Sequence, residues 1–231
     1  MEYRIKNKKV RFDPYNMKYS KNLGNNRGST ADVYLINGDA YKLYRPYCST
    51  TELMTKEKVN YFKGIPTKRI VLPKESILDK KRNLRGYISK YIEDLGYDNL
   101  LNLDKSSLID ELKILREDFI LLGDYGVLVK DSNLGNTVFH NGCYLIDCGR
   151  YLTGDETGYD ANISISCNLD EFSQYLIYQI FGICIKNNGY LSKLKEIRKE
   201  YFSLDNNSMI DYLSFDMIED NLGQYLKRKI R

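Results

Sequence analysis

Two Asn-Gly dipeptides do most to restrict the fold of this chain. Asn37-Gly38 separates ADVYLI from AYKLY, and Asn141-Gly142 separates NTVF from CYLID. Runs rich in β-branched and aromatic residues around an Asn-Gly predict antiparallel hairpins, and for Asn37-Gly38 a type I′ turn, whose central residues take positive φ. A third hairpin is predicted between ESIL and RGYISKYI, across the charged turn DKKRN, so that the β-rich part ends near Tyr91. Ser49 and Glu52 form the pattern of a capping box, predicting a helix that opens there and runs to about Phe62. From Ser106 the spacing of Leu108, Leu112, Leu115, Phe119 and Leu122 predicts an amphipathic helix that stops before Gly123. Residues 169–185 are apolar nearly all round and predict a buried helix, with further helices at about 190–202 and 208–229. No internal repeat or low-complexity linker interrupts this order. Strands early and helices late predict an α+β chain.

Composition narrows the class. Hydrophobic residues make up 42% of the 231, enough for a folded core and against disorder. The net charge of +4 is small and scattered, which argues against a nucleic-acid partner. RIKNKKVR and LKRKIR are locally basic and read as solvated ends. The five cysteines Cys48, Cys143, Cys148, Cys167 and Cys184 include no C-x-x-C pair, so neither a disulfide framework nor a zinc site is suggested, and a reducing, cytoplasmic location fits. The start MEYRIKNKKVRFD lacks the apolar region of a signal peptide. YLIYQIFGICI is strongly apolar yet shorter than the about 20 residues a bilayer-spanning helix needs, so no membrane span is expected.

Chemistry-bearing residues recur in a telling order. NNRGSTADVY leads into Val33, and Lys42 follows across the first hairpin. Glu57 shares a predicted helical face with Leu53, Met54 and Tyr61, where a charge among apolar neighbours needs a partner. Asp131 precedes Asn136 in VLVKDSNLGNTVF, and Asp147-Cys148-Gly149 closes the second Asn-Gly hairpin. The Asp-x-x-x-x-Asn spacing alone carries nothing, since Asp32/Asn37, Asp94/Asn99 and Asp216/Asn221 repeat it. Taken together and in this order, the segments resemble the Gly-rich loop, strand lysine, H-R-D-x-x-x-x-N loop and D-F-G of protein kinases.

The resemblance, which runs from about residue 20 to 185, implies a bilobal protein-kinase-like α+β fold, with a β-rich N-lobe at 1–91 and a helical C-lobe at 92–231. It implies ATP and Mg²⁺ as cofactors and a protein hydroxyl as acceptor. Asn26, Gly28, Ala31 and Val33 align with G-x-G-x-x-G-x-V, only the middle glycine being kept. Gly28, Ser29, Thr30 and Val33 would then approach the phosphates, and Ala40, Ser89, Lys90, Tyr91 and Ile92 the adenine. Lys42 paired with Glu57 would hold the α- and β-phosphates, Asp131 would take the acceptor's proton, and Asn136 with Asp147 would bind the metal. DEFSQYLIYQIFG resembles the kinase D-x-W-S-x-G helix, which makes Asp170 a buried brace under the catalytic loop.

Departures from the family pattern bear on activity. Val129 and Lys130 replace His-Arg, which argues against the usual phosphorylated-loop switch, and Asn133 stands where a lysine usually reaches the γ-phosphate. No A-P-E follows Asp147, and TGDETGYD reads as a compact polar loop with Thr153, Thr157 and Tyr159 as candidate modification sites. His140, in a hairpin turn, is not expected to be a base. Two other functions stay open: a small-molecule phosphotransferase like the aminoglycoside kinases, or a nucleotide-binding pseudokinase serving as an interaction module.

Overall fold

The computed structural model describes residues 2–5, 8–11, 21–22, 31–45, 54–96, 99 and 105–176. Its strands are β1 (Glu2–Ile5), β2 (Lys8–Arg11), β3 (Lys21–Asn22), β4 (Ala31–Ile36), β5 (Asp39–Tyr44), β6 (Pro73–Leu78), β7 (Leu84–Lys90), β8 (Thr137–Phe139) and β9 (Cys143–Leu145). Its helices are α1 (Lys56–Phe62), α2 (Lys105–Asp124), α3 (Gly154–Thr157) and α4 (Ala161–Tyr175). The described chain is thus mixed α+β.

The pairings between the described strands are antiparallel. Seven described strands stand in the order β2-β1-β6-β7-β5-β4-β3, and β8 pairs with β9 separately. The β4–β5 turn has φ 51° at Asn37 and 81° at Gly38, as a type I′ turn requires, and Asn141 and Gly142 at the β8–β9 turn also take positive φ, at 49° and 144°. The hairpin across DKKRN forms as β6–β7. The β1–β2 hairpin lies in the segment read as a solvated basic end; nothing in its polar composition announces a strand pair.

Register decides which side chains share a face. Val33 pairs with Lys42 and Lys42 with Tyr87, while Ala40 pairs with Ser89. Directly opposed residues point to the same side, and alternate residues repeat it. Val33, Ala40, Lys42, Tyr87 and Ser89 therefore line one face. Gly86 makes the close packing of β5 and β7 feasible: its φ is 157°, and a Cβ there would lie 1.9 Å from Lys42 O.

Two apolar clusters cover the sheet. Tyr34, Leu43, Ile77 and Ile88 form the smaller one. On the opposite face Tyr87 joins Val59 and Phe62 of α1, Leu112, Leu115, Phe119 and Leu122 of α2, Leu145 of β9, and Phe172 and Tyr175 of α4 in one continuous core. Asp118 fixes the connection between these parts. Its carboxylate, 2% exposed, accepts the backbone N–H groups of Lys68, Arg69 and Ile70. The segment it holds pairs with β9 through Val71 N to Leu145 O (2.8 Å) and Leu145 N to Arg69 O (3.0 Å). Burial pushes the Asp118 carboxyl above its ordinary value despite those three donors.

Helix boundaries differ from the sequence-based expectations in three places. α1 begins at Lys56 and not at Ser49: Thr55 is extended and its Oγ1 caps Lys58 N at 3.2 Å. Residues 46–53, with the expected capping box at Ser49 and Glu52, lie outside the described residues, whereas the end at Phe62 matches. α2 continues through Gly123 to Asp124. A Cβ on Gly123 would come within 2.6 Å of Ile165 Cα, so this glycine serves a helix crossing and not a stop. Gly126, at φ 65°, ends the helix: its N–H bonds Gly123 O and that of Val127 bonds Leu122 O, each at 2.8 Å, a Schellman arrangement. α4 starts at Ala161, ahead of the expected 169, because Asp160 caps Ile163 N at 2.8 Å. The expected helices at 190–202 and 208–229 lie outside the described residues. Among those described, no helix is long and apolar enough to cross a membrane.

Candidate active site

The β8–β9 hairpin carries Asn136 just before its first strand and Asp147 just after its second. Thr137 pairs with Leu145, and beyond that pair Ile146 N donates to Asn136 O at 2.9 Å. Asn136 thus stands across from Ile146, the residue before Asp147. Asp147 Oδ2 accepts Lys42 Nζ at 2.6 Å, and its Oδ1 accepts Gly149 N at 3.1 Å. Lys42 is 14% exposed and lies 5.7 Å from the centroid of the Tyr87 ring. A residue of the sheet and one 105 positions later in sequence thus form a sheltered ion pair.

Asp131 occupies an unusual backbone state, with φ 62°. Local hydrogen bonds hold it there. Asn133 Nδ2 donates to Asp131 O (2.9 Å) and Oδ1 (2.7 Å), and Asn136 Nδ2 donates to Asp131 O (2.8 Å) and Oδ2 (3.1 Å). Asn133 Oδ1 accepts Gly135 N at 2.8 Å, capping the 3-10 turn Leu134–Asn136. Arg150 Nε stands 3.8 Å from Asp131 Oδ2. With the amide hydrogens of Asn136 engaged by Asp131, its Oδ1 is the atom suited to a hard cation.

Helix α4 supports this loop through residues other than the one expected. Asp170 is exposed and braces nothing among the described residues. Asn168, fully buried, accepts Val129 N at 2.8 Å and donates to Phe119 O (2.9 Å) and Val127 O (2.8 Å). Glu171 accepts both N–H and Oγ–H of Ser132. Along the helix that follows the Asp160 cap, Asn168 lies on the buried stripe with Ser164, Leu169 and Phe172, and Asp170 faces outward. A polar residue within that stripe is the signal that a helix drawn only from 169 hides.

Glu57 also departs from expectation. It is exposed and has no ion pair among the described residues; Lys42 is paired with Asp147 instead. Since α1 begins after Thr55, Met54 lies outside the helix, Tyr61 is 46% exposed, and the buried face consists of Val59 and Phe62. Lys58 takes the inward position. Its Nζ donates to Tyr151 O at 2.8 Å and pairs with Glu156 Oε1 at 2.8 Å. Burial alone would raise the Glu156 carboxyl, but bonds from Lys58 and from Thr153 hold it below its ordinary value. The polar loop TGDETGYD contains the single-turn helix α3, where Thr153 and Glu156 complete a capping box.

The remaining candidates divide by location. Val33, Ala40 and Ser89 lie on the Lys42 face, with Ser89 only 6% exposed; exposed Lys90 ends β7, and half-buried Tyr91 and Ile92 follow it. Gly28, Ser29 and Thr30 lie outside the described residues. His140 sits in the β8–β9 turn, its Nδ1 3.1 Å from Glu93 O. Cys148 is buried beside Asp147; burial, then the neighbouring carboxylate, push its thiol up to about 12, so the thiolate chemistry of a reactive cysteine is suppressed. Among the described residues no three His, Cys, Asp or Glu side chains gather as a metal site. No protein-family model matches this chain, and no curated protein matches it.

Proposed function

We propose that this chain is a two-lobed, kinase-like phosphotransferase that moves the γ-phosphoryl group of Mg-ATP to a hydroxyl, most simply a serine or threonine of a protein. The Lys42–Asp147 pair at 2.6 Å, together with the Asp131 carboxylate held by Asn133 and Asn136, is the observation that carries this function. Val33, Ala40 and Ser89 supply an apolar-to-small surface on the Lys42 face suited to a nucleotide base.

The donor set fits magnesium, which favours few protein ligands, all oxygens, and keeps its other positions for water and phosphate. Asp147 and Asn136 Oδ1 would hold it. When bound, the ion supplies positive charge to the phosphate chain. Lys42 holds phosphate oxygens and Asp147 together. Asp131, fixed by two amides, orients the acceptor hydroxyl and receives its proton. The acceptor oxygen bonds to the γ-phosphorus as the bond to the bridging oxygen breaks, and ADP leaves with that electron pair. Positioning and charge, with little covalent work by the protein, account for acceleration of this kind.

The short span from Asp147 to the start of α4 at Ala161 favours a second acceptor class, small hydroxylated molecules, because it leaves little chain to build a peptide platform. Labelled-ATP transfer by the purified chain to itself, to a protein mixture and to a panel of small polyols separates these cases. Asp131→Asn and Asp147→Asn should each reduce transfer by about 10²-fold or more. Undiminished transfer in either variant rejects that residue's role, and tight Mg-ATP binding without transfer to any acceptor assigns the chain to the non-enzymatic pseudokinase class.

A further inference from the structure

Charge balance around Asp131 singles out one residue beyond the set already described. Phosphoryl transfer spreads negative charge over three equatorial oxygens, here between two carboxylates, Asp131 and Asp147. A cation placed in advance where that charge develops is among the largest contributions a protein can make. Lys42 is committed to Asp147 at 2.6 Å. Asn133 brings no charge, and its amide is used at both ends, on Asp131 and on Gly135 N. Lys130 is exposed and makes no ion pair among the described residues.

Arg150 differs from all of these. Its backbone belongs to the turn that follows Asp147, closed by Gly149 N on Asp147 Oδ1 and Tyr151 N on Cys148 O, each at 3.1 Å. Its guanidinium reaches back to Asp131, with Nε 3.8 Å from Oδ2, and the side chain is 61% exposed. Its backbone thus follows the metal-side carboxylate three positions on, while its side chain reaches the acceptor-side carboxylate. At 3.8 Å this contact with Asp131 is Coulombic and not a hydrogen bond. Phosphoryl oxygens are better partners, because a guanidinium binds them through two parallel N–H donors.

We infer that Arg150 is the cation that neutralises the transferring phosphoryl group, moving from Asp131 Oδ2 to the equatorial oxygens when the nucleotide is bound. The inference rests on the proposed phosphotransfer. The exchange also removes the cation from Asp131 Oδ2, leaving there the Asn136 amide alone of the two groups and coupling donor binding to readiness of the base. Bond making and breaking are those given above: the acceptor proton goes to Asp131, ADP departs with the electron pair, and Arg150 exchanges no proton.

Calorimetric titration with Mg-ADP, alone and with aluminium fluoride as the mimic of a phosphoryl group in transit, tests this on the full chain. The parent should bind the fluoride complex more tightly than Mg-ADP. Arg150→Gln should keep its Mg-ADP affinity within about twofold and lose about tenfold or more of the gain from aluminium fluoride, with Arg150→Lys in between. The unfolding midpoints of both variants should match that of the parent. A parent that gains nothing from aluminium fluoride, or an Arg150→Gln chain that keeps the parent's gain, overturns the role of Arg150 while leaving nucleotide binding intact. A parent with no affinity for Mg-ADP overturns the phosphotransfer itself, and this inference with it.

Discussion

Asn168 shows how much one side chain contributes when every polar atom it has is matched. Its oxygen accepts one N–H from the strand-like segment before Asp131, and its amide satisfies two carbonyls, one in α2 and one just after it. Truncation would strand three buried backbone groups, each expensive to leave unpaired. Asn168→Ala should therefore cost about 2–4 kcal/mol in urea unfolding, whereas exposed Asp170→Ala should change stability by less than about 0.5 kcal/mol. The reverse ranking would restore Asp170 as the brace. Placing these residues from sequence failed for a specific reason: the apolar run from 169 is conspicuous, but the helix begins at Ala161 behind the Asp160 cap, and the buried polar positions Ser164 and Asn168 that trace its inner face lie ahead of that run.

At the scale of elements, Lys58 clips α1 to the segment that follows Asp147. Its ammonium, 11% exposed, joins Tyr151 O and Glu156, while Phe62 and Tyr151 pack edge to face with centroids 6.4 Å apart. Lys58→Met should loosen this junction by about 1–2 kcal/mol. The Glu156 side of the clip is pH-dependent. Because its carboxyl titrates below the ordinary value in the folded chain, its stabilisation is full above the ordinary carboxylate range and disappears as pH falls through the folded value. Parent and Glu156→Gln should therefore differ in thermal midpoint at neutral pH and converge in acid; a gap that widens on acidification would contradict the assigned pairing. The hairpins belong to this scale too, and they were legible because turn chemistry is local: Asn37-Gly38 and Asn141-Gly142 form turns where their composition demands positive φ. Gly123 was not legible, since a helix stop and a close helix crossing ask for the same residue.

Across the whole molecule one core joins the sheet to the helices, so the described parts should unfold together. Phe119 is fully buried in α2, and its ring centroid is 5.2 Å from that of Phe172 in α4. Phe119→Ala should cost about 3–5 kcal/mol. Circular dichroism and tyrosine fluorescence should report the same denaturant midpoint in the variant as in each other, both shifted from the parent. Separate midpoints for the two probes would mean that the sheet and helices hold independent cores.

Sequence alone determined the features that depend on neighbours along the chain: antiparallel hairpins from turn residues and the amphipathic helix from its apolar spacing. Tertiary structure decided which side chains meet. Lys42 reaches Asp147 and not Glu57, Lys58 faces inward in place of Glu57, and Arg150 comes to Asp131 from a turn in another segment. The physical reason is the range of the constraint. Each residue of a helix turns the side chain by about 100°, but which face is buried depends on what packs against it from elsewhere in the chain, whereas a hairpin turn fixes its own register by the residues it contains.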